Sequence, residues 1–269
     1  MLCWLSVRQL CWSCAEGSSL KQRGVILYLR LQWLGNSAAW ADTNWFSVSA
    51  ASNYRDYYDL DGTNTTVAPS DGISAPQTDG IVPIFGVGSR VTDAFIRNGL
   101  LWTCQAIGLS TDGTYSGDSS GSNVSRSGVQ WFKLQISPDS TSLSMADHGR
   151  IFDSSQTDNP WWYYTPSMMV NCAGDMVVGF SGSSATNYVG AFYTWRLSSG
   201  ATLDKPRLFQ PGSITFSPSQ WGDYSAPSLD PNDDWSFWTV QEYATPATSA
   251  HGDVIGAWGT VVARIRPNP

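Results

Sequence analysis

Asp223 and Glu242 are carboxylates of the kind that glycoside cleavage uses as a pair, one as general acid and one as its partner. Glu242 is one of only two glutamates in the chain and lies among aromatic residues in WTVQEY, where burial would raise its pKa. Alternation along that segment puts Gln241 and Glu242 on opposite faces, so a solvent-facing Glu242 is the plain alternative. Tyr163 or Tyr224 would complete such a site. Asp223 beside Trp221 and Tyr224 equally suits sugar binding without catalysis, with rings on the apolar face of the sugar and the carboxylate on its hydroxyls. A structural corner, in which Asp223 holds turn amides, accounts for the same residues. The run Trp161-Trp162-Tyr163-Tyr164 places four adjacent rings where one strand cannot turn all of them to one core. One or two are therefore expected at the surface, where they suit carbohydrate, with packing between elements as the equal alternative. Arg90 joins Trp161, Trp162 and Trp221 as a ligand-binding candidate.

Other constellations are weaker. The oxygen-rich turns NCAGD (171–175), DPNDD (230–234) and DLDGTN (59–64) could hold calcium, and ordinary Asx turns explain them as well. No metal site is expected beyond that, because there is no C-x-x-C, no Cys/His cluster and only two histidines, His148 and His251. GFSGS (179–183) lacks the last glycine of a nucleophile elbow, and GDSSG (117–121) lies in a Ser/Gly-rich stretch that reads as a connection. Cys104 and Cys172 sit in apolar segments and read as buried thiols, with a disulfide between neighbouring strands as the alternative. Asn64 and Asn123 head glycosylation triplets of a sort that is common by chance.

These residues must be carried by a chain of 269 residues with a net charge of −7 and only 14% charged residues. The acidic balance argues against nucleic acid and anionic membranes as partners, and no run of eighteen apolar residues offers a membrane span. An aromatic share of 13% argues against disorder. Residues 1–40 carry Arg8, Lys21, Arg23 and Arg30 against Glu16 alone, and three cysteines fall in the first 14 positions. This segment reads as a degenerate signal or a non-native start, separate from a main domain over 41–269.

From residue 41 onward, short β-prone runs alternate with Gly, Pro, Asn, Asp and Ser. The class is all-β. An internal repeat sets YYTPSMMVNCAGDMVVGFSGSS (163–184) beside YSAPSLDPNDDWSFWTVQEYAT (224–245), with a fainter copy at 91–110 turning at Asn98-Gly99. Further strands follow each copy: VQWFKLQI and GRIFD, VGAFYTWRL and PRLFQPG, then GTVVARIR. Units of four antiparallel strands suggest the blades of a β-propeller, incomplete, with about four to five blades visible. Exposed blade edges would then invite a homo-oligomer. A β-sandwich is the alternative. Alignment of the copies puts Arg90, Tyr163 and Asp223-Tyr224 just before the first strand of each unit, around the channel.

The stretches PQTDG (76–80), RVTDAFIRNGLLWT (90–103), 161–196 and QWGDYSAPSLDPNDDWSFWTVQEYA (220–244) resemble a group of secreted bacterial β-propeller proteins loosely grouped with sialidase-like or Asp-box propellers. The resemblance covers roughly 45–265 and implies that the chain corresponds to the C-terminal part of a larger propeller, secreted from the cell. It does not extend to sialidase chemistry. STDGTYSG (110–117) departs from the Asp-box pattern, and no arginine trio can be assigned. The expectation is a secreted propeller that binds a glycan or a surface partner through aromatic loops. A glycoside hydrolase or polysaccharide lyase and a self-associating structural fragment are the alternatives.

Overall fold

In a computed structural model the chain is described over residues 73–267, apart from 80–83, 88–90, 115–123, 138–142, 218–220, 223–224 and 253, together with four short strands between 26 and 46. Every regular element described is a β-strand, as the sequence pattern requires. β1 (Ile26–Leu27) pairs with β4 (Trp45–Phe46), and β2 (Arg30–Leu34) pairs with β3 (Ser37–Asp42) in a hairpin that straddles residue 40. β5 (Ile73–Ala75) pairs with β6 (Ile84–Val87). Among the described residues no helix is long and apolar enough to cross a membrane.

Three larger antiparallel sheets follow in chain order. The first holds β7 (Val91–Arg97), β8 (Leu100–Leu109), β9 (Arg126–Ile136) and β10 (Leu143–Ile151). The second holds β11 (Trp162–Val170), β12 (Met176–Ser184), β13 (Asn187–Arg196) and β14 (Arg207–Gln210). The third holds β15 (Ala226–Leu229), β16 (Phe237–Thr248) and β17 (Val254–Ile265). Strands neighbour one another in sequence order within each sheet, and no sheet closes on itself. The repeat seen in the sequence is thus a repeat of sheets: Pro166-Ser167 lies in β11 and Pro227-Ser228 in β15, each the first strand of its unit.

Local chemistry sets the hairpins. Asn98 and Gly99 both have positive φ, 53° and 76°, the backbone of a two-residue turn whose twist matches its strands. At the next hairpin Asn171 Oδ1 accepts the amides of Ala173 and Asp175 at 3.0 and 2.9 Å. The third turn is held by Asp230 Oδ1 on the Asn232 amide at 3.0 Å. The oxygen-rich turns 171–175 and 230–234 are therefore Asx turns closed by their own amides. DLDGTN (59–64) lies outside the described residues.

The sheets stack face to face. Trp102, Cys104 and Trp131 of the first sheet bury against Met168, Val178, Phe180 and Phe192 of the second. Val177 of the second buries against Phe237 and Ile265 of the third. Each fully buried side chain of this size contributes about 1.5–3 kcal/mol. A sheet between two others has no solvent face, so β12 of the second sheet is buried at every position. The half-buried alternation expected from the sequence gives way there for that reason. Close stacking also explains Gly179: a Cβ at that position would run into the Gln241 amide and the Thr239 hydroxyl of the third sheet.

Candidate functional site

Antiparallel strands give the stack two ends. One carries the described residues of the β8–β9 connection (110–114 and 124–125) and of the segments that lead from one sheet to the next (152–161, 211–217 and 221–222). The other carries the turns 98–99, 171–175, 197–206 and 230–236. Of the ring and carboxylate candidates that are described, Trp161, Trp162, Tyr163, Tyr164 and Trp221 belong to the first end, and none of these rings is exposed.

None of the four rings in Trp161-Trp162-Tyr163-Tyr164 is exposed, because both faces of β11 are covered. Trp161 meets Phe192 edge-on at 4.9 Å, and Tyr163 lies 4.9 Å from Phe180 and 5.2 Å from Phe192. Trp162 and Tyr164 turn the other way, into a cluster with Phe216 and Trp221. β11 lies between two cores, so rings on both of its faces are packed. Burial, reinforced by the Asp153 charge, pushes the Tyr163 phenol well above its ordinary pKa. That setting suits packing rather than proton transfer.

Trp221 is buried as well. Its ring stands perpendicular to Phe216 at 4.6 Å, and its Nε1 donates to Ser181 Oγ at 3.0 Å. This bond also engages the serine of GFSGS. Glu242 does not face solvent: it is buried on β16 opposite Thr260, and Gln241 is buried on the other face, donating to Ser167 and Thr239. Arg90, Asp223 and Tyr224 lie outside the described residues, as do Asn64, Asn123 and GDSSG (117–121). His148 is exposed on β10, and His251 is exposed in the turn before β17. Cys104 is buried, whereas Cys172 is exposed at the tip of the 171–175 turn. Among the described residues no three His, Cys, Asp or Glu side chains gather where they could share a metal ion.

Two contiguous clefts open at the opposite end. The first, about 200 Å³, lies between the first and second sheets and is lined by Arg97, Trp102, Lys133, Asp147 and Arg196 among others. The second, about 520 Å³ and shallower, lies between the second and third sheets, with Asp175, Ser198, Ser199, Trp235, Arg266 and Pro267 on its walls. They share Ala173, Leu197 and Ser198 and so adjoin one another.

The side chains of the clefts are held in place. Lys133 Nζ stands 5.1 Å from the Trp102 ring, and the Arg196 guanidinium 5.2 Å from the Trp131 ring. Arg196 Nη1 also donates to Asp147 Oδ2 at 2.7 Å, and Arg97 pairs with Asp234. Trp235 remains 49% exposed although its backbone is fixed. Asp233 accepts the amides of Ser236 and Trp235 at 2.8 and 2.9 Å, bonds that lower the carboxyl pKa to about 2. The cleft carboxylates are engaged: Asp147 by Arg196, Asp175 by Asn171 Nδ2 and the Ser198 amide. The arrangement offers a stacking ring, hydroxyls and cations, which are the elements of polar ligand recognition.

The sequence reading missed these residues. Arg97 and Arg196 are the last residues of their strands, and Trp235 directly follows an acidic turn. A cation or ring at a strand end beside a turn was the available signal. No family model, curated protein or solved structure matches the chain.

Proposed function

We propose that the chain is part of a β-propeller that binds an extended glycan along the two clefts at the turn end. Three consecutive units with sequential strand order, stacked face to face, support the propeller reading, as does the packing of β11 against both β7 and β15, the first strands of its neighbours. The observation that carries the binding reading is Trp235, a half-exposed ring on a backbone held by Asp233, which shares a cleft with Ser198, Ser199 and Arg266 that adjoins a second. Rings of this kind stack on the apolar faces of sugars while neighbouring hydroxyls and cations take the polar edges. Binding fits better than hydrolysis at this place, because the cleft carboxylates are already committed to internal partners. A secreted location, implied by the resemblance, would expose such a surface to polysaccharide.

A melting-temperature screen against a panel of polysaccharides tests the reading. Free ligand at a hundred times its Kd stabilises by about 2.7 kcal/mol, a shift of several degrees. A shift with one polysaccharide class is expected, and no shift with any would overturn the reading.

The third sheet favours a second reading, self-association. β17 holds the place that β9 and β13 hold in their sheets, but no described fourth strand pairs with it. Val254, Trp258 and Val262 are exposed at every fourth position along it, on one face, with Trp238 beside them on β16. A strand of twelve residues with exposed apolar side chains can pair with its own copy antiparallel. Light scattering on the eluting peak would then give a dimer whose fraction rises with concentration, and a monomer at all concentrations would remove this reading.

A further inference from the structure

We infer that the smaller cleft is an anion subsite, which seats a carboxylate or sulfate carried by the glycan; this rests on the glycan reading and specifies its ligand class. The chain is acidic overall, yet Arg97, Lys133 and Arg196 converge on one cleft of about 200 Å³. Two of these charges are balanced, Arg196 by Asp147 at 2.7 Å and Arg97 by Asp234. Lys133 is different. Among the described residues Lys133 forms no ion pair: Asp147, opposite it on β10, is engaged by Arg196, and the Lys133 ammonium rests 5.1 Å from the Trp102 ring. The cleft therefore carries about one uncompensated positive charge, in a place where low-dielectric walls strengthen its field.

A second observation points the same way. The indole Nε1 of Trp102, which lines this cleft, is buried without a hydrogen-bond partner among the described residues. A buried donor left unmade costs free energy that an acceptor oxygen would recover. Size completes the argument. A pocket for a whole small ligand spans roughly 300–1,000 Å³. At about 200 Å³ this cleft suits one substituent, and the adjoining cleft of about 520 Å³ suits the chain that bears it. A sugar polymer with one acid group per unit or two fits both requirements: rings at Trp235, anion at Lys133.

Affinity electrophoresis of the full chain tests this with four polymers. Polygalacturonate supplies carboxylates, its fully methyl-esterified form masks them, dextran sulfate supplies sulfates, and dextran supplies neither. The expected result is a Kd at least about tenfold tighter for one acidic polymer than for its uncharged counterpart, the better of the two naming the anion. Lys133→Gln is expected to lower that acidic-to-neutral ratio about tenfold with the melting temperature unchanged. Equal affinity for charged and uncharged polymers, or an unaltered ratio in Lys133→Gln, would overturn the anion subsite and leave the glycan reading standing. Binding to none of the four polymers, repeated across a wider neutral panel, would overturn both.

Discussion

The Trp221 indole donates its Nε1 hydrogen to Ser181 Oγ across 3.0 Å, tying the segment before β15 to the middle of β12 with both residues buried. A residue that reads in the sequence as a sugar platform is thus a bolt between two units. Removing it leaves a cavity and an unpaired hydroxyl. Trp221→Ala is expected to destabilise the fold by about 3–5 kcal/mol in urea unfolding. Trp235→Ala, which removes an exposed ring, is expected to stay within about 0.5 kcal/mol of wild type. Equal stability of the two variants would contradict the placement of Trp221 in the core.

Gly179 tests the closeness of sheet stacking. A methyl group there meets Gln241 and Thr239 of the third sheet at less than van der Waals separation. Gly179→Ala should cost about 1–3 kcal/mol through overpacking, although alanine suits a strand better than glycine. A melting temperature at or above that of the wild type would show that the second and third sheets do not pack as described.

The strand pattern and the repeat were legible because short alternating runs bounded by Asn-Gly and Asp-rich turns have few other ways to fold. Pro166-Ser167 and Pro227-Ser228 mark equivalent first strands, and that equivalence follows from the sequence alone. What could not be read was which faces would be covered. Alternation describes a sheet with one wet side, and the second sheet has none, so Tyr163 and Tyr164 on β11 both enter cores although they point in opposite directions. The clefts were hidden for a related reason. Lys133, Arg196 and Trp235 come from three strands and turns far apart in the chain, and only the stacking of sheets brings their ends together.

The two described thiols should behave differently. Burial, followed by the nearby Asp93 charge, pushes the Cys104 thiol well above its ordinary pKa, whereas Cys172 is exposed on the turn beside Ala173 of both clefts. Peptide mapping after brief alkylation of the native protein should find Cys172 modified and Cys104 untouched until denaturant is added. A bound polysaccharide should slow the Cys172 reaction. Labelling of both at similar rates would contradict the burial of Cys104.

The turn that holds Trp235 predicts a pH dependence. Amide hydrogen bonds from Ser236 and Trp235 lower the Asp233 pKa from 3.8 to about 2, so the ionised form favours the folded state. Its contribution is complete above about pH 4 and is lost as the pH falls through 2. Asp233→Asn should therefore flatten the fall in stability between pH 4 and 2, measured by urea unfolding at each pH. An unchanged slope in the variant would show that the carboxylate does not hold the turn.

Hydrogen exchange with and without a binding polysaccharide, resolved by peptide, tests most directly where the ligand lies. Protection on binding is expected at 171–175, 197–200 and 231–236, the backbone around the two clefts, with little change at 161–164 and 221–229. Protection confined to 161–164 and 221–229 would place the ligand at the opposite end of the sheets and contradict the account.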